Sequence, residues 1–579
     1  MQISKAKIAN FRGIKNCEVF FEGHTVMVGD NNVGKSTILE AIDLTLGPDR
    51  LSRNSIIDEH DFYAGDYLID DQTINIEIEV VITDLSDEQK RMFGGNTEFW
   101  DKNNKCILSE GECKKTDNEN VVNALRVKFI GNYDSDEDDF IGQTYYSHPL
   151  SDDVTLQKFT KKDKRSCGFL YLRTVRTGSR ALSLERGSLL DIILKMMELR
   201  PKMWEDILYQ LRGVSVAEKP ELGISEVLTN VQSAVQGIVP VDWAESPKLR
   251  VSDLTREQLR RVLTFFLNTG AKSHDGSSHS APFQHQGTGT INTLVLALLS
   301  MIAELKNNVI FAMEEPEISI PPYTQKSLIA NVKEKSAQAI FTSHSPYVIE
   351  EFSLSNVLVL HKDASGTVKG LTAESPVKMK SYRDEFRKRF CEGLLSKNIL
   401  ILEGRTEYDV YQTCFRKLVK LHPENYKNLG LLSLAPINAD GDGNIPEIGM
   451  FFKSLGKRVF SIFDKQDDAS LESIKNNVDF YFMIEEKGIE AFIVNNVSYG
   501  VLEKYSDNIE ASGEWSNHIV PKPSDCTTEA ELRKTMFTFF KHKKGSGELS
   551  ELIFTCSTKE EMPSRIIEII DSITQEILQ

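Results

Sequence analysis

The most specific chemical pattern in the 579-residue sequence is Gly-Asp-Asn-Asn-Val-Gly-Lys-Ser at residues 29–36, the P-loop. Glycines at these spacings let backbone N–H groups surround phosphate oxygens at a helix N-terminus, the lysine adds a positive charge, and the serine hydroxyl can ligate magnesium. A chance glycine loop would lack the flanking strand and helix that the motif requires, whereas Thr25 to Val28 and Thr37 to Leu46 supply both here. The residues predicted to bind ATP are Gly29, Asn32, Gly34, Lys35, Ser36 and Thr37.

Adjacent acids follow a second apolar run, residues 310–313, in the sequence Glu314-Glu315-Pro316-Glu317. Two carboxylates at the end of a buried strand are costly unless a cation or a catalytic role holds them, although acids that open a surface loop are the plainer alternative. We expect Glu314 to reach the magnesium ion and Glu315 to polarise the attacking water. His344 follows another predicted strand, Ala339 to Phe341, in a position to sense the γ-phosphate. A lone histidine is more often structural, but this position favours a functional one.

A third group of acids lies in the C-terminal part of the chain. The apolar run Asn398 to Leu402 ends in Glu403, and Glu407 follows four residues later, which brings both carboxylates to one side of a strand-to-helix junction. A second apolar run, Val459 to Phe463, ends in Asp464. Carboxylates at the C-terminal ends of parallel strands offer hard oxygen ligands to Mg²⁺ or Mn²⁺. One or two such ions can activate water and stabilise the charge of phosphodiester cleavage.

The elements that must position these residues change in type along the chain. Residues 1 to about 165 alternate short β-type runs with turns, and apolar residues at helical spacing follow in Ser188 to Leu199 and Ile224 to Ile238. The Gly- and Ser-rich stretch Lys272 to Gln286 is predicted to be a loop, and Asp363 to Lys378 a connector. Strands that alternate with helices indicate an α/β protein with parallel sheets.

Composition and charge limit the class of protein. A chain of 579 residues that is 40% hydrophobic and 26% charged predicts a folded protein of about two to four domains. The net charge of −17 is weak evidence against DNA binding, but basic runs occur at residues 161–165, 378–389 and 541–544. The eight cysteines include no Cys-x-x-Cys pair, which argues against zinc and disulfides. No apolar run approaches the roughly 20 residues of a spanning helix, and the N-terminus does not resemble a signal peptide, so we predict a cytoplasmic protein with no membrane partner.

The N-terminal motifs together resemble one family of ATPases. The opening Ile8-Ala9-Asn10-Phe11-Arg12-Gly13-Ile14, the P-loop, residues 314–317 and residues 343–346 are similar to the RecF/SMC-like branch of the ABC ATPases. The resemblance implies a helical insert between the two nucleotide motifs that mediates dimerisation. It also implies a signature segment that caps ATP across the dimer. The best match to that segment is Gln286 to Ile291, through Gly287 and Gly289, although the usual initial serine is missing.

The C-terminal acids resemble the Toprim domain, and the order of ATPase then Toprim resembles the OLD (overcoming lysogenization defect) nucleases, including Gabija- and retron-associated relatives. The family's Asp-x-Asp pattern falls on Asp464 to Gln466, so its second acid is replaced by glutamine, and Asp467 or Asp468 is the available substitute. The metal ligands that the resemblance implies are Glu403, Glu407, Asp464, Asp468 and Glu490.

Four residues within this resemblance allow two interpretations each. Glu490 matches a later acidic position of the family, or it is a charge on a surface helix. Lys544, before Gly545-Ser546-Gly547, matches the family's lysine and would contact the scissile phosphate, or it belongs to a solvated basic face. Asp440 and Asp442 are favoured as turn acids over ligands. With the ATPase acid included, the predicted catalytic residues are Glu403, Asp464, Lys544 and Glu315.

The predicted fold is therefore α/β, with an ABC-type ATPase domain that contains an inserted helical dimerisation segment and is followed by a Toprim, Rossmann-like domain. The predicted domains are residues 1–175 and 269–378 for the two parts of the ATPase, 176–268 for the insert and 390–579 for the Toprim domain.

The resemblance implies an ATP-binding DNA endonuclease that uses Mg²⁺ or Mn²⁺, in which the ATPase regulates cleavage. It implies a homodimer or higher oligomer in bacterial antiphage defence, alone or beside a partner such as a UvrD-like helicase or a retron reverse transcriptase. The alternative is a RecF/SMC-like DNA-repair ATPase with a degenerate, non-cleaving Toprim domain, which Gln466 favours and the other intact acids disfavour. A topoisomerase is disfavoured because no room remains for a DNA-binding domain with a transesterifying tyrosine.

Overall fold

The structure, a computed structural model, describes residues 1–48, 56–70, 72–108, 119–148, 156–172, 182–184, 188–197, 199–213, 224–236, 255–287, 290–291, 294–295, 297–298, 301–302, 309–318, 321–372, 384–516 and 518–578. These residues form two compact units. Unit 1 comprises the described residues within 1–46, 53–163 and 340–579, and unit 2 comprises those within 47–52 and 164–339. In these described ranges, no helix has the length and apolar character needed to cross a membrane.

The described strands are, in chain order, β1 (Gln2–Phe11), β2 (Ile14–Phe20), β3 (Thr25–Val28), β4 (Leu68–Ile69), β5 (Gln72–Thr73), β6 (Ile76–Thr83), β7 (Thr97–Asp101), β8 (Cys106–Leu108), β9 (Val121–Asp134), β10 (Asp139–Tyr146), β11 (Phe169–Leu172), β12 (Phe266–Lys272), β13 (Ser278–Pro282), β14 (Ile310–Glu314), β15 (Gln338–Thr342), β16 (Val357–Lys362), β17 (Thr367–Leu371), β18 (Asn398–Leu402), β19 (Leu434–Asn438), β20 (Arg458–Asp464) and β21 (Phe480–Ile484). The described α-helices are α1 (Lys35–Leu46), α2 (Asp87–Phe93), α3 (Lys161–Ser166), α4 (Leu189–Met196), α5 (Arg200–Gly213), α6 (Ile224–Gln236), α7 (Arg256–Val262), α8 (Pro322–Lys335), α9 (Pro346–Ile349), α10 (Asp384–Leu395), α11 (Arg405–Leu421), α12 (Ile445–Ser454), α13 (Asp468–Asn477), α14 (Ile489–Asn496), α15 (Tyr499–Ser512), α16 (Glu529–His542), α17 (Glu548–Thr555) and α18 (Ser564–Leu578).

A large mixed sheet in unit 1 positions the P-loop. Its strands follow the order β15, β3, β16, β17, β2, β1, β6, β9, β7 and β8, and β10 pairs with β9. Strand β3 is parallel to both neighbours, with Phe341 opposite Val26 on one side and Leu358 opposite Met27 on the other. All of β3 is buried, which explains its continuous apolar sequence. The P-loop therefore leaves the carboxyl edge of the sheet, where the chain after β15 also emerges.

A second, fully parallel sheet lies in the C-terminal part of unit 1, with the strand order β19, β18, β20 and β21. Leu402 lies opposite Asn438 on one side and Ile462 on the other, and Asp464 lies opposite Ile484. Every residue of β18 is buried, as is β20 beyond its first residue. Because these strands are buried on both faces, they are apolar along their length and stop where the acids begin.

The predicted α/β architecture is confirmed, and the predicted apolar runs correspond to β3, β14, β15, β18 and β20. The helix predicted after the P-loop is α1, and the run from Ile224 is α6. The helical spacing over Ser188 to Leu199 corresponds to α4, and a separate helix, α5, begins just after it at Arg200. Pro201 is the second residue of α5, and a proline favours a new helix start because it has no N–H to donate to a preceding turn.

Two stretches predicted to lack regular structure contain strands. The predicted loop Lys272 to Gln286 contains β13, which forms an antiparallel hairpin with β12 in unit 2. Asp275 Oδ1 accepts hydrogen bonds from Ser277 N and Oγ at 3.0 and 2.6 Å, which fixes the turn. The predicted connector Asp363 to Lys378 contains β17, which is antiparallel to β16. Turn residues fix both hairpins. The strands β13 and β17 themselves have no strong apolar alternation, so the sequence did not indicate them as strands.

Candidate functional site

The P-loop joins β3 to α1 and holds its lysine against its own backbone. Lys35 is buried, and Nζ donates hydrogen bonds to Gly29 O at 2.8 Å and to Asp30 O at 2.9 Å. Gly29 has φ +150°, and a Cβ there would lie 2.8 Å from Leu360 O, so a side chain would strike β16. Ser36 is exposed at the second residue of α1. The loop thus presents a helix N-terminus, a cation and a hydroxyl, the groups that bind a nucleotide phosphate with magnesium.

His344 follows β15 and is exposed. The preceding residue Ser343 donates its backbone N–H to Met27 O at 3.3 Å, which ties this segment to the P-loop strand. The structure therefore brings His344 and the P-loop to the same edge of one sheet in unit 1. Its role as a γ-phosphate sensor remains a prediction.

Glu314 and Glu315 lie at the end of β14 in unit 2. The parallel pairing of β14 with β11 places Tyr171 opposite Ala312, and the Tyr171 hydroxyl donates a hydrogen bond to Glu314 Oε1. Glu315 has φ +41°, which is uncommon for a residue with a side chain and turns the chain sharply after the strand. The sequence did not indicate Tyr171, because only the strand pairing brings it to the acid. The prediction that Glu314 and Glu315 complete the ATP site begun by the P-loop stays a prediction.

The predicted signature segment is described only in part. Gly287 is exposed, and its carbonyl accepts hydrogen bonds from Thr290 N at 3.0 Å and Ile291 N at 3.2 Å, as at the start of a helix. Gly289 lies outside the described residues. The capping of ATP across a dimer by this segment therefore remains a prediction.

In the C-terminal sheet, four acids gather at the carboxyl ends of β18 and β20; we call Glu403, Glu407, Asp464 and Glu490 the acid cluster. Asp464 N donates to Glu403 Oε2 at 3.0 Å, and Gly488 N donates to Asp464 Oδ2 at 2.7 Å. Glu407, Asp464 and Glu490 are 7%, 8% and 6% exposed. Gly404 makes room for this packing, because a Cβ there would lie 2.7 Å from Glu407 Oε2.

Burial and mutual repulsion disfavour the charged forms of the acid cluster. Burial raises the pKa of Glu407 to about 7, and the charges of Asp464, Glu403 and Glu490 raise it further. Burial likewise raises the pKa of Asp464 to about 6, with contributions from Glu403 and Glu490, while Lys544 lowers it. Glu407 and Asp464 therefore each lie within electrostatic reach of Glu403 and Glu490. A nearby cation would relieve both the burial penalty and the repulsion.

The acid cluster suits a hard divalent cation in its chemistry, because its donors are carboxylate oxygens. Glu490 Oε1 is buried without a hydrogen-bond partner, and a buried acceptor of this kind can be satisfied by a cation or a water molecule. Among the described residues, no three His, Cys, Asp or Glu side chains already stand in a metal-binding arrangement. The carboxylates would therefore have to draw together around an ion, as repelling groups do when a cation neutralises them.

Lys544 lies at the exposed side of the acid cluster. Its Nζ is 4.0 Å from Glu490 Oε1, and its side chain is 67% exposed. Glu490 itself lies in the first turn of α14 and is buried, so it is not a solvated charge on a surface helix. A cavity beside these two residues is lined also by Lys543 of the basic run 541–544, and by Thr406 and Asp409, which the sequence did not single out.

The remaining acids considered from the sequence lie outside this group. Asp467 caps α13, with its carboxylate accepting from Ser470 N at 2.8 Å, and Asp468 is exposed at the first residue of that helix. Asp440 and Asp442 are exposed in a turn beside the cluster, where Gly441 N donates to Glu403 O at 2.8 Å. The proposal of Asp468 as a metal ligand rests on the resemblance alone.

A family model described as an AAA ATPase domain matches residues 1–170 and 213–349, which together make up more than half of the chain. The sheet and the P-loop define an α/β ATPase, and the chain belongs to the family of proteins with this AAA ATPase domain.

The resemblance to the OLD nucleases is confirmed by two curated relatives. The Old nuclease of Escherichia phage P2 is 21% identical over 486 residues, which cover 80% of this chain and 77% of the phage protein. Endonuclease GajA of Bacillus cereus (strain VD045) is 21% identical over 458 residues, which cover 75% of this chain and 70% of GajA.

Similar solved structures include an SMC head bound to the C-winged helix domain of ScpA, with a TM-score of 0.34, 12% identity and coverage of 64% of this chain and 98% of that one. The SMC head domain from Thermotoga maritima has a TM-score of 0.30 and 13% identity, and the match covers 65% of this chain and 100% of that one.

Proposed function

We propose that the protein is an ATP-binding, metal-dependent DNA endonuclease of the OLD type, in which the ATPase regulates cleavage by a C-terminal Toprim domain. The observation that carries the proposal is the acid cluster, four mutually repelling carboxylates gathered at the carboxyl ends of parallel strands. Burying four carboxylates close together costs free energy, and a cation bound between them would offset that cost. The nuclease names of the two relatives support the same activity.

In the proposed mechanism, Glu403, Glu407 and Asp464 would hold Mg²⁺ or Mn²⁺, and Glu490 would supply a further carboxylate. A bound ion would activate water and neutralise charge on a phosphodiester. The Asp464 N–H orients the Glu403 carboxylate, and Gly488 N–H orients that of Asp464. Lys544, exposed beside Glu490, would meet the phosphate backbone from the solvent side.

The wider assignments belong to the same proposal. The domain boundaries remain those predicted from the sequence, with residues 176–268 as a dimerisation insert. On α6, Val227, Val231 and Val235 are 59%, 46% and 38% exposed at four-residue spacing, an apolar stripe that supports contact with a second copy of the chain. DNA as substrate, a role in antiphage defence and a possible partner protein are proposed from the resemblance.

The second candidate is a RecF/SMC-like DNA-repair ATPase whose Toprim domain does not cleave. The favouring observation is that Gln466 replaces an acid of the family pattern while Asp468, the available substitute, is exposed at the start of α13 and away from the cluster's hydrogen bonds. This candidate predicts DNA-stimulated ATP hydrolysis without strand breaks.

The test is cleavage of supercoiled plasmid by the purified full chain with Mg²⁺, Mn²⁺ or EDTA, each with and without ATP. We expect nicked and linear DNA only with a divalent cation, at a rate that ATP changes. Absence of cleavage with every metal, while ATP is hydrolysed, would support the repair-type candidate.

Replacing Lys35 by alanine is expected to weaken ATP binding by about 10- to 100-fold, because a charged hydrogen bond to phosphate contributes about 1.5–3 kcal/mol. Equilibrium binding of a fluorescent ATP analogue measures the effect. The control is Lys90→Ala, which removes an exposed lysine paired with Asp87 on α2. Wild-type affinity in Lys35→Ala would contradict the assignment of the P-loop as the nucleotide site.

A further inference from the structure

The two strands that end in the acid cluster also begin side by side, next to the P-loop. Lys397 precedes β18, which leads to Glu403, and Lys457 precedes β20, which ends in Asp464. Arg458 N donates to Lys397 O at 3.2 Å, so the two starts are joined directly. By strand geometry, each lysine lies about 20 Å from the acid at the other end of its strand.

An aspartate of the P-loop contacts this edge of the C-terminal sheet. Lys397 Nζ lies 2.9 Å from Asp30 Oδ2. Lys457 is buried, and its Nζ donates to Leu394 O at 2.9 Å. Burial lowers the pKa of Lys457 to about 8, while the charge of Asp30 raises it and that of Lys397 lowers it. Asp30, Lys397 and Lys457 thus form one charged group, the junction.

A second contact holds the two sheets together at the same place. His361 lies on β16, which pairs in parallel with the P-loop strand β3. Its Nε2 is 2.7 Å from Leu455 O, and a Cβ on Gly456 would lie only 3.2 Å from that nitrogen. These residues immediately precede Lys457. The sheet that carries the P-loop therefore contacts the segment before β20 in two ways. One is the hydrogen bond between His361 and the backbone of Leu455, and the other is the charge of Asp30 near Lys457.

Phosphate binding would change the backbone that carries the Asp30 side chain. Lys35 Nζ now donates to the carbonyls of Gly29 and Asp30. A nucleotide phosphate would compete with these carbonyls for the N–H groups of Lys35 and would draw the ammonium group toward its own oxygens. The hydrogen bond to Asp30 O would then weaken, on the same residue whose carboxylate contacts Lys397.

We infer that the junction transmits nucleotide binding at the P-loop to the acid cluster through β18 and β20. A change at Asp30 shifts the starts of two adjacent buried strands, and rigid strands carry that shift to the carboxylates at their other ends. Lys397 thus links the P-loop to the strand that leads to Glu403. Because the ion pair is largely exposed, we expect it to account for about a two- to fivefold effect. The inference rests on the proposed function for its consequence, DNA cleavage.

The test uses Lys397→Met in the full chain, which removes the charge but keeps an apolar stem of similar length. The measured quantity is the ratio of plasmid cleavage rates with and without ATP. We expect this ratio to move toward one by about two- to fivefold relative to wild type, with ATP affinity and cleavage without ATP unchanged. Lys90→Met, which breaks another surface pair, is the matched control and should keep the wild-type ratio.

A charge swap tests the specific pair. Lys397→Glu should lose the ATP response, and adding Asp30→Lys should restore it, provided that ATP affinity measured in parallel is retained. A wild-type ratio in both Lys397→Met and Lys397→Glu would overturn the inference.

A readout without DNA separates this inference from the proposed function. Hydrogen exchange of peptides covering β18 and β20 should change on ATP binding in wild type and change less in Lys397→Met. If no metal supports cleavage by wild type, the proposed function fails and the exchange result alone decides the inference. An equal exchange response in both proteins, or none in wild type, would overturn it.

Discussion

Replacing Glu403 by glutamine is expected to reduce metal-dependent DNA cleavage by about a hundredfold or more, because loss of a metal ligand costs at least as much as the 10- to 100-fold seen for outer-shell partners. Glutamine keeps the size of the side chain and an oxygen that can accept from Asp464 N. The change therefore removes the charge and leaves the link between β18 and β20 in place. Plasmid cleavage across a Mn²⁺ titration measures the loss, and ATP hydrolysis should stay at the wild-type rate.

The matched control is Glu485→Gln. Glu485 also follows a strand of the same sheet, β21, but its side chain is 81% exposed and lies 3.8 Å from Lys465. Wild-type cleavage is expected from this variant. If Glu403→Gln cleaved DNA as well as the control, the acid cluster would not be the nuclease centre, whatever the activity of the wild-type protein.

The strands next to the predicted sites were the easiest elements to predict. β3, β18 and β20 are buried along almost their whole length, so burial on both faces forces an uninterrupted apolar sequence. Gly29 follows β3, and Glu403 and Asp464 follow the apolar runs of β18 and β20, so each of these residues marks the place where the strand leaves the core. The apolar runs thus placed the P-loop motif and the first acids of the cluster at strand ends without knowledge of the sheet order.

The same rule does not identify strands that are exposed to solvent. β12 is exposed at nearly every residue, and its partner β13 is little better covered, so neither carries the alternation of a half-buried strand. Their hairpin is set by the Asp275-Gly276 turn, with Gly276 at φ +81°. Turn chemistry of this kind was present in the sequence, but it indicates a chain reversal and not the strands on either side.

Contacts between distant segments of the chain could not be predicted from the sequence. Glu490 could be a ligand or a surface charge until the packing of α14 buried it. Tyr171 reaches Glu314 only because β11 pairs with β14. The pairing of Asp30 with Lys397 joins the P-loop to another sheet, and no local pattern marks either residue. Such features depend on which surfaces meet, and a single sequence without relatives does not specify that.

Replacing Glu407 by glutamine is expected to stabilise the metal-free protein while it impairs cleavage. Burial and three neighbouring acids raise the pKa of Glu407 from its ordinary 4.5 to about 7, so the folded state disfavours the charged carboxylate. The corresponding penalty is at most about 3 kcal/mol, and we expect about 1–3 kcal/mol to be recovered at pH 8. Thermal unfolding in EDTA measures the gain as a higher Tm than that of wild type.

The pH dependence has a defined sign. Because the folded-state pKa is raised, the penalty is absent below about pH 4.5, where Glu407 is protonated in both states, and complete above about pH 7. The stability difference between variant and wild type should therefore shrink as the pH falls from 8 to 5. Glu424→Gln, at a side chain that is 64% exposed, is the control and should change the Tm little at either pH.

Added Mn²⁺ should reverse the order of stability. The ion would neutralise the repulsion in wild type and so raise its Tm, whereas Glu407→Gln has less repulsion to relieve and one ligand fewer, so its Tm should rise less. A variant less stable than wild type in EDTA would mean that Glu407 serves the fold as a hydrogen-bond acceptor, and the acid cluster would lose its main physical argument. The expected pattern would instead show that the carboxylates proposed to bind the ion are the groups that destabilise the metal-free protein.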